Sequence, residues 1–103
     1  MPAKAKKTRP PVHPGDILLE EFLKPLGISA NKLARELRVP SNRIVKIING
    51  ERGITGDTAL RLARFFNMTP DFWMNLQSHY DLEKAQNELA ETIRRDVRPR
   101  RTR

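Results

Sequence analysis

Residues Ser29–Gly50 read SANKLARELRVPSNRIVKIING. Ser29 has the hydroxyl oxygen that an N-cap needs, and Leu33, Ala34 and Leu37 then fall on one face of a first helix. Pro40-Ser41 suits the opening turn of a second helix, and Gly50 suits its end. About three residues separate the two. Ala34 lies where the helices cross, and a small side chain there allows close approach. Val39 fills the turn. Ile44, Ile47 and Ile48 form the buried stripe of the second helix at i, i+3 and i+4. Ser41, Asn42, Val45, Lys46 and Asn49 are left facing outward. A helix with an apolar inner face and a small, polar, basic outer face can enter the major groove of DNA.

Outward from this pair, the same punctuation gives three more helices. One follows His13-Pro14, from about Gly15 to Leu23 or Lys24. Asp16, Glu20 and Glu21 bring negative charge towards its N-terminal half, and Pro25 and Gly27 end it. Another opens at Thr55 and carries Ala59, Leu60, Leu62, Ala63 and Phe66. The last opens at Thr69-Pro70 and runs through Phe72, Trp73, Leu76, Tyr80, Leu82, Ala85, Leu89 and Ile93, with a break expected near Asp81. Arg94 and Arg95 suit its C-terminal pole. No apolar/polar alternation is sustained, so the expected fold is all-α, a bundle of five helices.

Charge divides the 103 residues unevenly. The total is +8 from 20 Lys and Arg against 12 Asp and Glu. Residues 1–11 hold four basic residues and no acid, and residues 94–103 hold six arginines and one aspartate. Residues 12–93 therefore sum to −1, in three blocks of −2 (12–28), +5 (29–64) and −4 (65–93). The tails read either as solvated charge runs or as arms that touch phosphate. The expected division is a basic N-terminal tail (1–11), a DNA-binding and dimerisation domain (12–95) and a basic C-terminal tail (96–103). No cysteine is present, which excludes disulfides and thiolate metal sites and suits a reducing, cytoplasmic setting. No apolar run is long enough to span a membrane, and no secretory h-region follows the basic start.

The expected base-edge contacts are Ser41, Asn42, Arg43, Val45 and Lys46. Asn can pair with adenine, Lys can reach guanine, and Val can meet a thymine methyl. Arg43 reads alternatively as a phosphate contact or as a partner of Glu36 or Glu51. Asn31, Lys32, Arg35, Asn49 and Arg52 are the expected phosphate contacts, whereas Arg61 and Arg64 are expected to face solvent. Phe66, Phe72, Trp73 and Tyr80 read first as core. Leu76, Leu82 and Leu89, with Trp73, are assigned to a dimer seam, since they exceed what one small core needs. His13 and His79 have no evident acid partner, so no metal, cofactor or catalytic role is expected of them. Glu20 and Glu21 are adjacent and point to different faces, and no nucleophile elbow or phosphate loop occurs, so an enzyme is not expected.

The spacing of Ala34, Val39, Ile44, Ile47 and Asn49-Gly50 resembles the lambda-repressor-like helix-turn-helix of xenobiotic-response-element (XRE) regulators. The segments HPGDILLEEFLKPLGIS (13–29), RGITGDTALRLARFF (52–66) and TPDFWMNLQSHYDL (69–82) narrow the match. They resemble the HigA (VapI-like) antitoxins of bacterial type II toxin–antitoxin modules, over about residues 12–92. That resemblance implies a homodimer that binds double-stranded operator DNA and sequesters a ribosome-dependent, mRNA-cleaving toxin of the RelE type. A stand-alone repressor with the same DNA geometry, and a basic-tailed protein that binds nucleic acid without sequence preference, are the competing readings. One departure stands out. Many relatives of the broad class have Gly four residues after the Ala, where the chain turns with positive φ. Here Arg38 occupies that position, at a cost of about 1 kcal/mol.

Overall fold

A computed structural model describes residues 10–101, and every element in it is a helix. The N-terminal tail, but for Pro10 and Pro11, lies outside the described residues, as do residues 102–103. Helix α1 (residues 14–26) runs through Pro14–Ile17, a wide π-helical stretch Leu18–Leu23, and Lys24–Leu26. Then come α2 (Ala30–Leu37), α3 (Ser41–Ile48), α4 (Gly56–Phe66) and α5 (Pro70–Asp96). The five-helix expectation holds, and the predicted helix starts do too. Ser29 Oγ accepts from the Lys32 amide at 3.0 Å, and Thr55 Oγ1 caps α4 through the Thr58 amide. Pro70 occupies the first turn of α5.

The π-helical stretch is where sequence reasoning was too regular. Pro25 has no amide hydrogen, and in an α-helix its ring would collide with the Glu21 carbonyl. Widening the preceding turn relieves that clash, and the Lys24 amide reaches back five residues to the Leu19 carbonyl. The same widening brings Leu18 and Leu23, five apart, onto the buried side, where both are essentially inaccessible.

Four helix ends share one closure. At Gly27, Arg38, Gly50 and Asn67 the chain turns through the left-handed region, with φ of 68°, 61°, 78° and 56°. In each case the next amide reaches back to a carbonyl five residues earlier, as in Val39 N to Ala34 O at 3.0 Å. These are Schellman motifs. Arg38 thus takes the positive φ that its position demands although it is not glycine. Two things hold it there: Val39 packs half-buried against the core, and Arg61 Nη1 donates to the Leu37 carbonyl at 2.8 Å.

The core joins all five helices and the loop before α4. Leu18, Leu23, Leu33, Ala34, Leu37, Ile44, Ile47, Ile54, Ala59, Leu62 and Trp73 are buried together. Phe22 of α1 sits among the aromatic rings of α4 and α5, with centroids 4.8 Å from Phe66 and 5.0 Å from Trp73. The aromatic cluster therefore draws on α1 as well as on α4 and α5. Trp73 is wholly buried, so its assignment to a dimer seam is corrected: it has no surface to offer a partner. Leu76 is half-buried against the same core.

Helix α5 runs 27 residues without the break expected at Asp81. Asp81 stays helical because its carboxylate accepts from Gln77 Nε2 at 2.9 Å, one turn back. At 1.5 Å per residue the helix is about 40 Å long, which dominates a molecule measuring 51 × 33 × 22 Å. Only its first part is packed; beyond Tyr80 no residue is fully buried.

Candidate nucleic-acid interface

Helix α3 is eight residues long, too short to persist alone in water. Ile44 and Ile47 hold it, each with no accessible surface and each contributing about 1.5–3 kcal/mol. Ile48 is half-buried beside them. From behind, the start of α1 presses against its C-terminal end. A Cβ on Gly15 would stand 1.8 Å from the Ile47 carbonyl oxygen, so only glycine permits this approach. His13 anchors the same corner. Its Nδ1 accepts from the Gly15 amide at 2.8 Å, and its ring meets Tyr80 edge-on at 4.8 Å. Burial pushes the His13 pKa down, against the opposing pull of Asp16 and Asp81.

The outer surface of α3 is as the spacing implies. Ser41, Asn42, Val45, Lys46 and Asn49 are all exposed. Pro40 caps the helix without a side-chain hydrogen bond, so Ser41 and Asn42 keep their side chains free of that duty. Of the residues read as phosphate contacts, Asn31, Lys32 and Arg35 are exposed on α2, and Arg52 is exposed in the loop after α3. Lys32 lies 3.6 Å from Glu36 in a solvent-facing pair. The loop itself is tied down, because the Ile54 amide donates to Gln77 Oε1 of α5 at 2.7 Å.

Arg43 departs from expectation. Its side chain is mostly covered, and its partner is neither Glu36 nor Glu51 but Asp57, in the first turn of α4. Arg61 Nε donates to the same carboxylate at 3.1 and 3.2 Å, while its Nη1 holds the Leu37 carbonyl. Arg61 is exposed, as expected, and in addition bridges α4 to the end of α2. These two arginines hold the Asp57 carboxyl below the usual range. A single network thus links the end of α2, the flank of α3 and the start of α4. Asp57 and Arg61 were missed in the sequence; their i, i+4 spacing on α4 was the signal available.

Known proteins share this fold. The helix-turn-helix family matches residues 19–73. Virulence-associated protein I of Dichelobacter nodosus is 49% identical over 83 residues, covering 81% of this chain and 77% of that protein. A solved HigA-family addiction-module antidote protein from Coxiella burnetii superposes with a TM-score of 0.84 at 49% identity, covering 89% of this chain and 100% of that one. Pseudomonas aeruginosa antitoxin HigA, solved with the higBA promoter, superposes with a TM-score of 0.84 at 43% identity, covering 86% and 97%. The family match over more than half of the chain and these relatives together place it: the chain belongs to the helix-turn-helix family, among its HigA (VapI-like) antitoxins.

Proposed function

We propose that this chain is the antitoxin of a type II toxin–antitoxin module, that it binds its own operator as a homodimer and represses its operon, and that it neutralises an mRNA-cleaving toxin of the RelE type. The observation that carries the DNA half is the two-sided construction of α3. Ile44 and Ile47 are fully buried while Ser41, Asn42, Val45 and Lys46 stand exposed. In this reading Ser41, Asn42, Val45 and Lys46 meet base edges in the major groove, and Asn31, Lys32, Arg35, Asn49 and Arg52 neutralise phosphates beside it. The exposed Leu82 and Leu89 of α5 supply the dimer seam, which sets the two α3 helices about 34 Å apart or a multiple of it. The acidic surface formed by residues 12–28 and 65–93 suits a basic nuclease. The basic tails add affinity for phosphate without sequence preference.

The test is binding of the Ser41→Ala, Asn42→Ala double variant to a fragment of the chain's own promoter and to a scrambled fragment. Operator affinity should fall about a hundredfold, with salt-dependent binding to the scrambled fragment unchanged. Equal binding of the unaltered chain to both fragments would sink the recognition role of α3. Expression with the adjacent open reading frame should yield a complex with a small basic partner. Repeated absence of one would remove the toxin half and leave a repressor.

A further inference from the structure

The reading helix is not held by its buried stripe alone. Arg43 leaves α3 at its flank, between the buried Ile44 side and the exposed Asn42 side, and closes on Asp57 of α4. Asp57 receives Arg61 as well, and Arg61 closes on the last carbonyl of α2. The chain of donors and acceptors therefore runs from α2 through α4 to α3. It spans the three elements whose mutual angle decides how α3 enters a groove. The Asp57 side chain is half-exposed and the Arg43 side chain about a quarter exposed. A pair that open to water contributes little to stability. It does, however, restrict one long, flexible side chain to one place.

From this geometry we infer that Asp57 is a positioning residue for operator recognition: it aims Arg43 and fixes the pitch of α3 against α4, so that sequence selectivity depends on a carboxylate that itself reads no base. The inference rests on the proposed reading of α3 as the DNA-reading helix. It makes Arg43 a directed side chain rather than a free base-edge or phosphate contact. It also gives Asp57 an effect opposite in sign to its charge. A carboxylate on a DNA-facing surface repels phosphate, so its removal should tighten binding to any duplex. A carboxylate that aims Arg43 should, when removed, weaken binding to the operator alone.

The experiment compares Asp57→Asn, Arg43→Ala and the double variant in the full chain, on the promoter fragment and on a scrambled fragment, at two salt concentrations. Circular dichroism of each variant establishes that it is folded. The expected result for Asp57→Asn is an operator affinity about tenfold lower, the size of one disturbed base contact, with scrambled-duplex affinity unchanged or higher. In the Arg43→Ala background the further loss on adding Asp57→Asn should vanish, because there is no guanidinium left to aim. Two results would overturn the inference. One is a tightening by the same factor on both fragments, which marks Asp57 as a repelling charge only. The other is an undiminished loss in the Arg43→Ala background, which marks a role independent of Arg43. Failure of the unaltered chain to prefer its promoter strikes instead at the reading of α3.

Discussion

Helix α3 and the far half of α5 are both helices, yet for opposite reasons. The eight residues of α3 are helical because of what lies behind them: two inaccessible isoleucines, the close approach of Gly15, and a Schellman closure at Gly50. Beyond Tyr80, α5 has no fully buried residue and ends at Val97 in extended backbone without a left-handed turn. Its helicity rests on good helix formers and on solvent-facing pairs such as Lys84–Glu88 at 3.8 Å, each worth about 0.3–0.5 kcal/mol. Yet it bears Leu82, Leu89 and Ile93 at 69%, 46% and 49% exposure. The first region offers a polar face from a rigid support. The second offers an apolar face on a projecting arm. Under the proposed function, that contrast gives nucleic acid to one and a second protomer to the other.

The contrast breaks most visibly under truncation of the two apolar stripes. Ile47→Ala should cost about 3–4 kcal/mol in urea unfolding of the protomer, since the cavity opens at the centre of the core. Leu82→Ala with Leu89→Ala should change the unfolding of the isolated protomer by under ~0.5 kcal/mol. The same pair should weaken self-association about a hundredfold, or ~2.7 kcal/mol, in sedimentation equilibrium. If the leucine pair instead destabilised the protomer as strongly as Ile47→Ala, the far half of α5 would be part of the core. Next in size is Gly15→Ala. It pushes α1 off the end of α3, and about 2 kcal/mol of stability should be lost, visible as a lower Tm.

Much of α3 was legible because its signals are local. The N-cap at Ser29, the spacing of Ile44 and Ile47, and Gly50 at the end all lie within one short stretch, and helical periodicity alone separates inner from outer residues. What joins α3 to the rest was not legible. Arg43 and Asp57 are fourteen residues apart, and nothing in the spacing chooses Asp57 over Glu36 or Glu51. The far half of α5 misled in the other direction. Asp81 looks like a breaker only until Gln77, one turn earlier, is seen to hold its carboxylate. Trp73 sits three residues from Leu76 on the same helix and was grouped with it, yet α1 closes over the indole and leaves the later leucines bare. Periodicity finds a stripe; where along it the core ends depends on which other helix lies across it.

Arg38 sharpens the contrast from the side of backbone strain. Arg38→Gly should stabilise the chain by about 0.5–1 kcal/mol, because the positive φ ceases to be unfavourable while the Val39 amide bond to Ala34 is retained. Operator selectivity should not change, since Arg38 lies off the outward face of α3. A loss of stability would mean that the Arg38 side chain contributes more than its backbone costs.

The smallest effect is expected at His13, where the two regions meet: it braces α1 behind α3 and touches the half-buried Tyr80 of α5. Its Nδ1 must carry a lone pair to accept from the Gly15 amide, so the folded state favours the neutral ring, and burial lowers its pKa from 6.5. Between that lowered value and 6.5 the unfolded chain binds a proton that the folded chain does not, so stability rises with pH across this window. The contribution is complete above pH 6.5 and declines as acid is added below it. Asp57, whose pKa is lowered from 3.8 by its two arginine partners, loses its own contribution only as the pH falls through that value and below. Urea midpoints between pH 5 and 7.5 should therefore slope downward towards acid. His13→Asn, which can still cap α1 through its side-chain oxygen, should flatten that slope. A slope that survived the substitution would place the acid sensitivity elsewhere, and His13 would then be a packing residue whose protonation the fold tolerates.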